Sequence, residues 1–175
     1  MDQVIKQLVQ KPLSGNDIYN ACEKSIKIMK YGELNKYNTI DDAFNPYDAI
    51  ALLYMTKPTF GHWVLLLRHP KQKTIEYFDS YGGFIDAPQE KITTEIKKMT
   101  DQRDNELSKM LLDSKYKIVY NPVQIQAFNS GVSSCGRHLC LRYLMRHIPL
   151  TQYIKVLENS KNNPDEIATY LTAFI

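Results

Sequence analysis

Residues 129–147 read NSGVSSCGRHLCLRYLMRH, and this stretch changes character at a single Cys-Gly pair. Small, turn-forming residues precede Cys135, and an apolar run with helical spacing follows Gly136. If a helix begins near Ser134 or Cys135, unpaired backbone N–H groups and the positive end of the helix dipole lie beside the sulfur. Both favour the thiolate, which is the nucleophilic form of cysteine. The stretch therefore predicts a helix that begins at a reactive cysteine.

The composition is that of a folded globular protein. The 175 residues are 43% hydrophobic and 23% charged, and this length suits one domain, which we expect to span residues 1–175. The net charge of +3 is mild and does not require a polyanionic partner. No signal peptide and no apolar run of membrane-spanning length are visible. The chain has an odd number of cysteines, Cys22, Cys135 and Cys140. Together with the absence of a visible signal peptide, this odd number favours free thiols in a reducing compartment.

Hydrophobic periodicity predicts an α+β domain with a small central sheet. A helix is expected over residues 14–29, with Asn16 or Asp17 as its N-cap, and a loop over residues 32–46. Further helices are predicted over residues 87–99, 104–114, 151–159 and 164–174. Strands are predicted over residues 48–55, 62–68, 74–78 and 116–126, the last of them interrupted by Asn121-Pro122.

A thiolate nucleophile needs an imidazole as its base, and the chain offers four histidines. His138 and His147 follow Cys135 on the same predicted helix, where a neighbour points back along the helix surface. His69 precedes a proline in a turn. His62 stands at the start of the most apolar strand, a rigid place for a catalytic side chain. His62 is therefore the preferred base.

An acidic residue can reach the same end of the sheet. Residues 74–78 form a strand that ends in Asp79, and residues 69–73 are a turn that can fold this strand back on the previous one. Asp79 then lies beside His62 and can accept its Nδ1–H, which fixes the tautomer and stabilises the imidazolium. For a lone aspartate before Ser-Tyr-Gly, a turn role is the alternative.

Two glutamines upstream of the cysteine can donate a hydrogen bond to an oxyanion. Gln126 is nearer the loop that delivers Cys135 and is preferred, while Gln124 would share its face if the strand continued. Gly136 has no Cβ and lets the backbone approach a substrate carbonyl.

Three short motifs, in this order, resemble a known clan of cysteine proteases. They are GHW at residues 61–63, FDSYGG at residues 78–83, and a glutamine upstream of SSCG at residues 133–136. The order His–Asp–Gln–Cys is similar to that of the clan that holds the adenovirus maturation protease and the ubiquitin-like-protein proteases. The resemblance implies an adenovirus-protease-like fold, in which a small mixed sheet packs against a central helix that starts at the nucleophile.

The resemblance also implies a role for each matched residue. Cys135 would be the nucleophile, His62 the general base and acid, and Asp79 the group that orients His62. Gln126 would donate to the oxyanion. Trp63, with Gly136 as a second substrate-binding residue, would help to close a narrow groove over small residues such as glycine. No cofactor or metal is implied.

By this resemblance, the short chain is most like the viral members of the clan, from a virophage or a relative of giant viruses. We expect a maturation protease that cleaves capsid or other virion precursor proteins at Gly-containing sites. Its expected location is the virion and the host-cell cytoplasm, without secretion or membrane association. The adenovirus enzyme is stimulated by a viral peptide and by DNA, so such an activator is the further partner that the resemblance suggests.

Four other hypotheses compete with this one. The same site could serve a deubiquitinase or deSUMOylase that acts on host conjugates, or an acyltransferase. A zinc site could use Cys135, His138, Cys140 and His147, although one rigid helix cannot wrap four ligands around a metal. A non-catalytic binding module could also retain the fold.

Cys22 and Cys140 are predicted to be core residues because they lie inside amphipathic helical patterns.

Overall fold

The computed structural model describes residues 3–129 and 131–175 of the predicted domain, so Met1, Asp2 and Ser130 lie outside the described residues. The described residues form one mixed sheet of five strands, in spatial order along the chain. The strands are β1 (Lys27–Lys30), β2 (Ala49–Lys57), β3 (Phe60–His69), β4 (Thr74–Phe78) and β5 (Lys117–Tyr120). The three central strands are antiparallel, and each outer strand runs parallel to its neighbour.

Helices cover both faces of this sheet. The α-helices of the described residues are α1 (Gln3–Gln10), α2 (Gly15–Ala21), α3 (Ile40–Phe44), α4 (Thr94–Met99), α5 (Glu106–Leu112), α6 (Cys135–Leu144), α7 (Leu150–Glu158) and α8 (Pro164–Leu171). Short 3₁₀ helices span Tyr31–Lys36, Pro70–Gln72 and Ala87–Lys91. The predicted α+β class with a small central sheet is confirmed. No helix of the described residues is long and apolar enough to cross a membrane.

The apolar run of β3 is covered on both faces, as its unbroken hydrophobicity predicts. Trp63, Leu65 and Leu67 belong to one core cluster, which includes α2 and the buried face of α6. Val64 and Leu66 belong to the other, which includes α3 and α5. Each fully buried leucine stabilises the fold by about 1.5–3 kcal/mol. The middle of the sheet is therefore a rigid support for residues at its ends.

A buried ion pair fixes the central helix to the sheet. Arg142 of α6 donates from Nε and Nη2 to the two carboxylate oxygens of Glu76 on β4, at 2.7 and 2.9 Å. The same guanidinium donates to the carbonyls of Met145 and Ile148, where the helix ends. Glu76 and Arg142 are both buried, and the two-pronged geometry satisfies their charges. The pair sets the position of α6, and thus of Cys135 at its start.

The helix predicted over residues 14–29 is wrong in its second half. Helix α2 ends at Ala21, and its N-cap is Ser14, not Asn16 or Asp17. Glu23 and Lys24 have φ angles of 55° and 58°, which break the helix in the left-handed region. The chain then turns into β1, which pairs with β2. Pairing in the sheet therefore overrides the helical spacing that links Cys22 to Met29.

Other boundaries also differ from prediction. The loop expected over residues 32–46 holds most of a 3₁₀ helix and all of α3, whose N-cap Thr39 forms a reciprocal capping box with Asp42. The helix expected over residues 87–99 is two elements, because Thr93 starts α4 as a new N-cap. The strand expected over residues 116–126 ends before Asn121-Pro122, since proline cannot donate to the ladder.

Candidate active site

The hairpin of β3 and β4 brings the predicted base and acid together. The register pairs His69 with Thr74 and Leu65 with Phe78, so the chain passes Asp79 close to the start of β3. Nε2 of His62 lies 2.7 Å from Oδ1 of Asp79, and both side chains are buried. The predicted use of Nδ1 is wrong: Nε2 faces the carboxylate, which leaves Nδ1 for the cysteine.

Cys135 is the first residue of α6, as predicted, and 9% of its surface is exposed. The groups that act on the charge of its sulfur are the His62 ring and the backbone N–H groups of Trp63 and Gly136. Burial alone would raise the pKa of Cys135, but the hydrogen bond and charge of His62, together with these N–H groups, bring it below the ordinary value. The start of the helix therefore stabilises the thiolate.

The pKa of His62 is shifted in the direction that complements the shift of Cys135. Burial disfavours the imidazolium, but hydrogen bonds to Asp79 and Cys135 outweigh this effect and raise the pKa of His62 to about 10. A raised pKa for the imidazole and a lowered pKa for the thiol favour the same state, a thiolate–imidazolium ion pair. Such a pair supplies a nucleophile and a proton donor in one place.

Gln126, and not Gln124, lies in the candidate site. Gln126 is 1% exposed and lines the same groove as Cys135, while Gln124 is exposed and donates its amide to the Gln126 carbonyl at 3.0 Å. The Ser80 hydroxyl donates to Gln126 Oε1 at 2.6 Å, which fixes the sense of the amide. Its Nε2 group donates to the Tyr81 hydroxyl at 3.1 Å. One amide hydrogen thus remains for an oxyanion, a role that stays a prediction.

Tyr81 joins three of the predicted site residues, and sequence reasoning missed it. Its ring stacks on His62 with centroids 4.8 Å apart, and Phe128 stacks on the other side at 4.2 Å. Its backbone N–H donates to Asp79 Oδ1 at 2.8 Å, and its hydroxyl accepts from Gln126. Burial and the nearby Cys135 raise the pKa of Tyr81 to about 12, so the hydroxyl stays protonated. The aromatic residue directly after Asp79-Ser80 was the available signal.

The turn after Tyr81 depends on glycine. Gly82 has a φ angle of +69°, and a Cβ there would lie 2.6 Å from the Val123 carbonyl carbon. This close approach packs the Asp79 turn against the segment that leads to Gln126. The backbone N–H groups of Ile125 and Gln126 then donate to the Ser80 carbonyl, each at 2.9 Å. The turn therefore carries the acid and positions the candidate oxyanion donor.

A groove of about 650 Å³ opens onto Cys135 and His62. One wall is the segment of residues 12–15. The Nε1–H of Trp63 donates a hydrogen bond to the Leu13 carbonyl of this segment, at 3.1 Å. Its described lining carries no Lys, Arg, Asp or Glu, and consists of Pro12, Leu13, Ser14, Gly15, Leu53, Thr56, Thr59, Phe60, Gly61, His62, Trp63, Tyr81, Gln126, Asn129, Val132, Ser133 and Cys135. The groove is thus suited to an uncharged stretch of peptide.

Trp63 and Gly136, the predicted substrate-binding residues, occupy different places. Trp63 lines the groove. Gly136 is buried behind it, where a Cβ would come within 3.0 Å of Leu13 Cβ. The missing side chain therefore lets α6 pack against the groove wall, and contact of Gly136 with substrate stays a prediction.

The remaining histidines and cysteines do not converge on Cys135. His138 Nε2 binds Asp165 Oδ1 at 2.9 Å, inside the core. Cys140 and Cys22 are free, fully buried thiols, and their mutual hydrogen bond together with burial raises the pKa of Cys140. His147 lies in a different surface depression, at the end of the helix. The four candidate zinc ligands therefore face different partners.

The fold is similar to that of a viral protease. The ASFV pS273R protease gives a TM-score of 0.54 at 14% identity, over 93% of this chain and 67% of that chain. The SUMO protease Ulp1 gives a TM-score of 0.49 at 19% identity, over 98% of this chain and 84% of that one. The likeness to the ASFV protein confirms the predicted fold, a small mixed sheet packed against a central helix.

In sequence, the chain is 33% identical over 172 residues to "Uncharacterized protein V9" of Sputnik virophage. The alignment covers 96% of this chain and 98% of that protein. The chain belongs to the same family as this virophage protein. The viral relationship implied by the sequence motifs is thereby confirmed. No family model matches the chain.

Proposed function

We propose that the protein is a cysteine endopeptidase with Cys135 as nucleophile. The observation that carries this proposal is the His62 ring, which hydrogen-bonds to both Asp79 and Cys135 at the floor of an open groove. The fold shared with the ASFV pS273R protease supports it. A structural cysteine does not require an imidazole, an orienting carboxylate and access to a groove at the same time.

The reaction follows from the positions of these groups. The Cys135 thiolate attacks the carbonyl carbon of the scissile peptide bond, and the carbonyl oxygen becomes an oxyanion. The Cys135 N–H and the Gln126 amide are the donors proposed to stabilise this oxyanion. The His62 imidazolium gives its proton to the departing amine, which leaves a thioester and a neutral imidazole. The imidazole then takes a proton from water, which hydrolyses the thioester and regenerates the thiolate.

Asp79 has a separate role in this cycle. Its carboxylate holds the His62 ring by Nε2 and favours the charged imidazolium between the two proton transfers. The N–H of Tyr81 binds the same carboxylate oxygen, so the acid is itself held in place.

We propose that the substrates are proteins of a virus particle, cleaved during maturation at sites that contain glycine. The relationship to a virophage protein and the fold of the ASFV pS273R protease support a viral protease. The groove beside Trp63, whose described lining has no Lys, Arg, Asp or Glu, supports small neutral residues at the cleavage site. A location in the virion and in the host-cell cytoplasm is part of this proposal.

The proposal is tested by incubating purified protein with the capsid precursor of its virus. We expect discrete cleavage by the wild type and none by Cys135→Ala. Cys140→Ala, which removes a buried thiol away from the groove, is the matched control and should cleave. Cleavage by pure Cys135→Ala protein would refute the assignment of the nucleophile.

A second assay separates substrate classes. Ubiquitin-family probes that trap active-site cysteines should leave Cys135 unlabelled if virion precursors are the substrates. Labelling of Cys135 together with an intact capsid precursor would instead assign the enzyme to ubiquitin-like conjugates. Transfer of an acetyl group from acetyl-CoA without cleavage would reassign the same cysteine to an acyltransferase.

A further inference from the structure

One buried carboxylate connects the two loops that carry the candidate nucleophile and the candidate oxyanion donor. Asp165 lies in the first turn of α8 and is 2% exposed. Its Oδ1 accepts a hydrogen bond from the Ser134 hydroxyl, directly before Cys135 in the chain. Its Oδ2 accepts from the backbone N–H of Ala127 at 2.9 Å, directly after Gln126.

A third contact closes this cluster. Nε2 of His138, one turn into α6, lies 2.9 Å from Asp165 Oδ1. His138 is fully buried, and its other ring nitrogen has no hydrogen-bond partner among the described residues. Among the described residues, Ser134 and His138 both bind the carboxylate and do not bind each other. This geometry excludes a second nucleophilic triad and leaves a positioning role.

The contact with Ser134 has a consequence for Cys135. Ser134 is the N-cap residue of α6, and a serine at this place ordinarily accepts a hydrogen bond from the first turn of its helix. Here Ser134 has φ −94° and ψ 3°, outside the extended conformation of a capping residue, and its hydroxyl donates to Asp165 instead. Asp165 therefore fixes the residue that leads directly into Cys135 at the start of α6.

We propose that Asp165 is a positioning residue, which holds Gln126 and Cys135 at their working separation. This inference rests on the proposed peptidase function. The spacing of the two loops matters, because an error of about 1 Å in a catalytic geometry can reduce turnover by about 10²-fold. The two anchored residues lie 38 and 31 positions away from Asp165 in the chain.

The test compares Asp165→Asn with a control that weakens the same helix elsewhere. The asparagine keeps the size of the side chain but offers one acceptor oxygen in place of two. We expect kcat on the precursor to fall by about 10–100-fold with KM changed by less than about threefold. Thr172→Ala is the control: Thr172 is fully buried, lies at the opposite end of α8 from Asp165, and its hydroxyl accepts from Arg137 and donates to the Ala168 carbonyl. It should lower thermal stability and leave kcat unchanged well below its unfolding temperature.

Alkylation of Cys135 by iodoacetamide near neutral pH supplies a readout that needs no peptidase activity. Loss of the bond to Ser134 frees the residue before Cys135 and shifts the sulfur relative to His62, so Asp165→Asn should be alkylated several-fold more slowly than wild type. Ser134→Ala removes one hydrogen bond, the one to Asp165, and we expect its kcat to fall by about fivefold. If Asp165→Asn does not fold, Ser134→Ala tests the positioning role in its place.

The outcomes separate the two proposals. Equal kcat and equal alkylation rates for Asp165→Asn and Thr172→Ala would overturn the positioning role. A Ser134→Ala variant that has the alkylation rate and the kcat of the wild type would also overturn the positioning role. If wild-type protein cleaves nothing, the proposed function fails, and the alkylation rates alone still decide whether Asp165 positions Cys135.

Discussion

Replacing Asp79 by asparagine should remove the alkaline part of the activity profile. Burial opposes the imidazolium of His62, yet its pKa rises from 6.5 to about 10, with Asp79 the first of the favourable causes. At about 1.4 kcal/mol per pH unit, this rise corresponds to roughly 5 kcal/mol of net stabilisation of the charged ring, shared between Asp79 and Cys135. Loss of the carboxylate should therefore lower the pKa of His62 by at least about one pH unit.

The sign of the pH dependence follows from these directions. The lowered pKa of Cys135 sets the acidic limb of kcat/KM below the ordinary thiol range, and the raised pKa of His62 sets the alkaline limb near pH 10. His62 binds its proton more tightly in the folded state. Its contribution to stability is therefore complete below pH 6.5 and is lost as the pH rises through about 10.

The assay is the pH profile of kcat/KM on a peptide taken from a mapped cleavage site. For Asp79→Asn we expect an alkaline limb at lower pH and kcat/KM near neutral pH reduced by about 10²-fold, since the orientation and charge of His62 are both weakened. Asp86→Asn is the matched control: this buried carboxylate accepts from Tyr31 and Tyr54, away from the groove. An Asp79→Asn profile that coincides with the wild-type profile would refute the reasoning.

Three further outcomes are expected. Gln126→Ala should lower kcat by about 10²–10³-fold while Gln124→Ala leaves it near wild type, and equal effects would contradict the buried amide as oxyanion donor. Tyr81→Phe keeps the ring stack and removes the acceptor for Gln126, so kcat should fall by about fivefold at unchanged KM, a split that steady-state kinetics resolves. Arg142→Ala leaves Glu76 buried without its partner and should destabilise the fold by about 3–5 kcal/mol in urea titrations, and a loss under about 1 kcal/mol would show that the pair is dispensable.

The sheet was predictable because its strands carry strong local signals. Thr74–Phe78 is β4 as predicted, and the unbroken apolar run from His62 to Arg68 lies inside β3. A turn between two such runs allows few pairings other than a hairpin. That hairpin alone brings Asp79 to His62, so the base and the acid follow from local pattern.

Long-range contacts account for the predictions that failed. The chain after Ala21 has helical spacing, but the edge of β2 draws residues 27–30 into the sheet. The prediction that Nδ1 of His62 contacts Asp79 was wrong, because a strand register fixes which residues meet and not which ring nitrogen faces a carboxylate.

The sequence by itself determined the start of α6 at Cys135 and the identity of His62 and Asp79 as its partners, because turns, apolar runs and polar residues at strand ends are local features. Only the tertiary structure placed Gln126, and not Gln124, in the groove, and only it revealed the contacts of Asp165. Their places depend on hydrogen bonds between segments more than 30 residues apart, such as Ser80 to Gln126 and Asp165 to Ser134. Hydrophobic periodicity does not predict such bonds, because they form when packed elements bring distant polar groups together in a buried space.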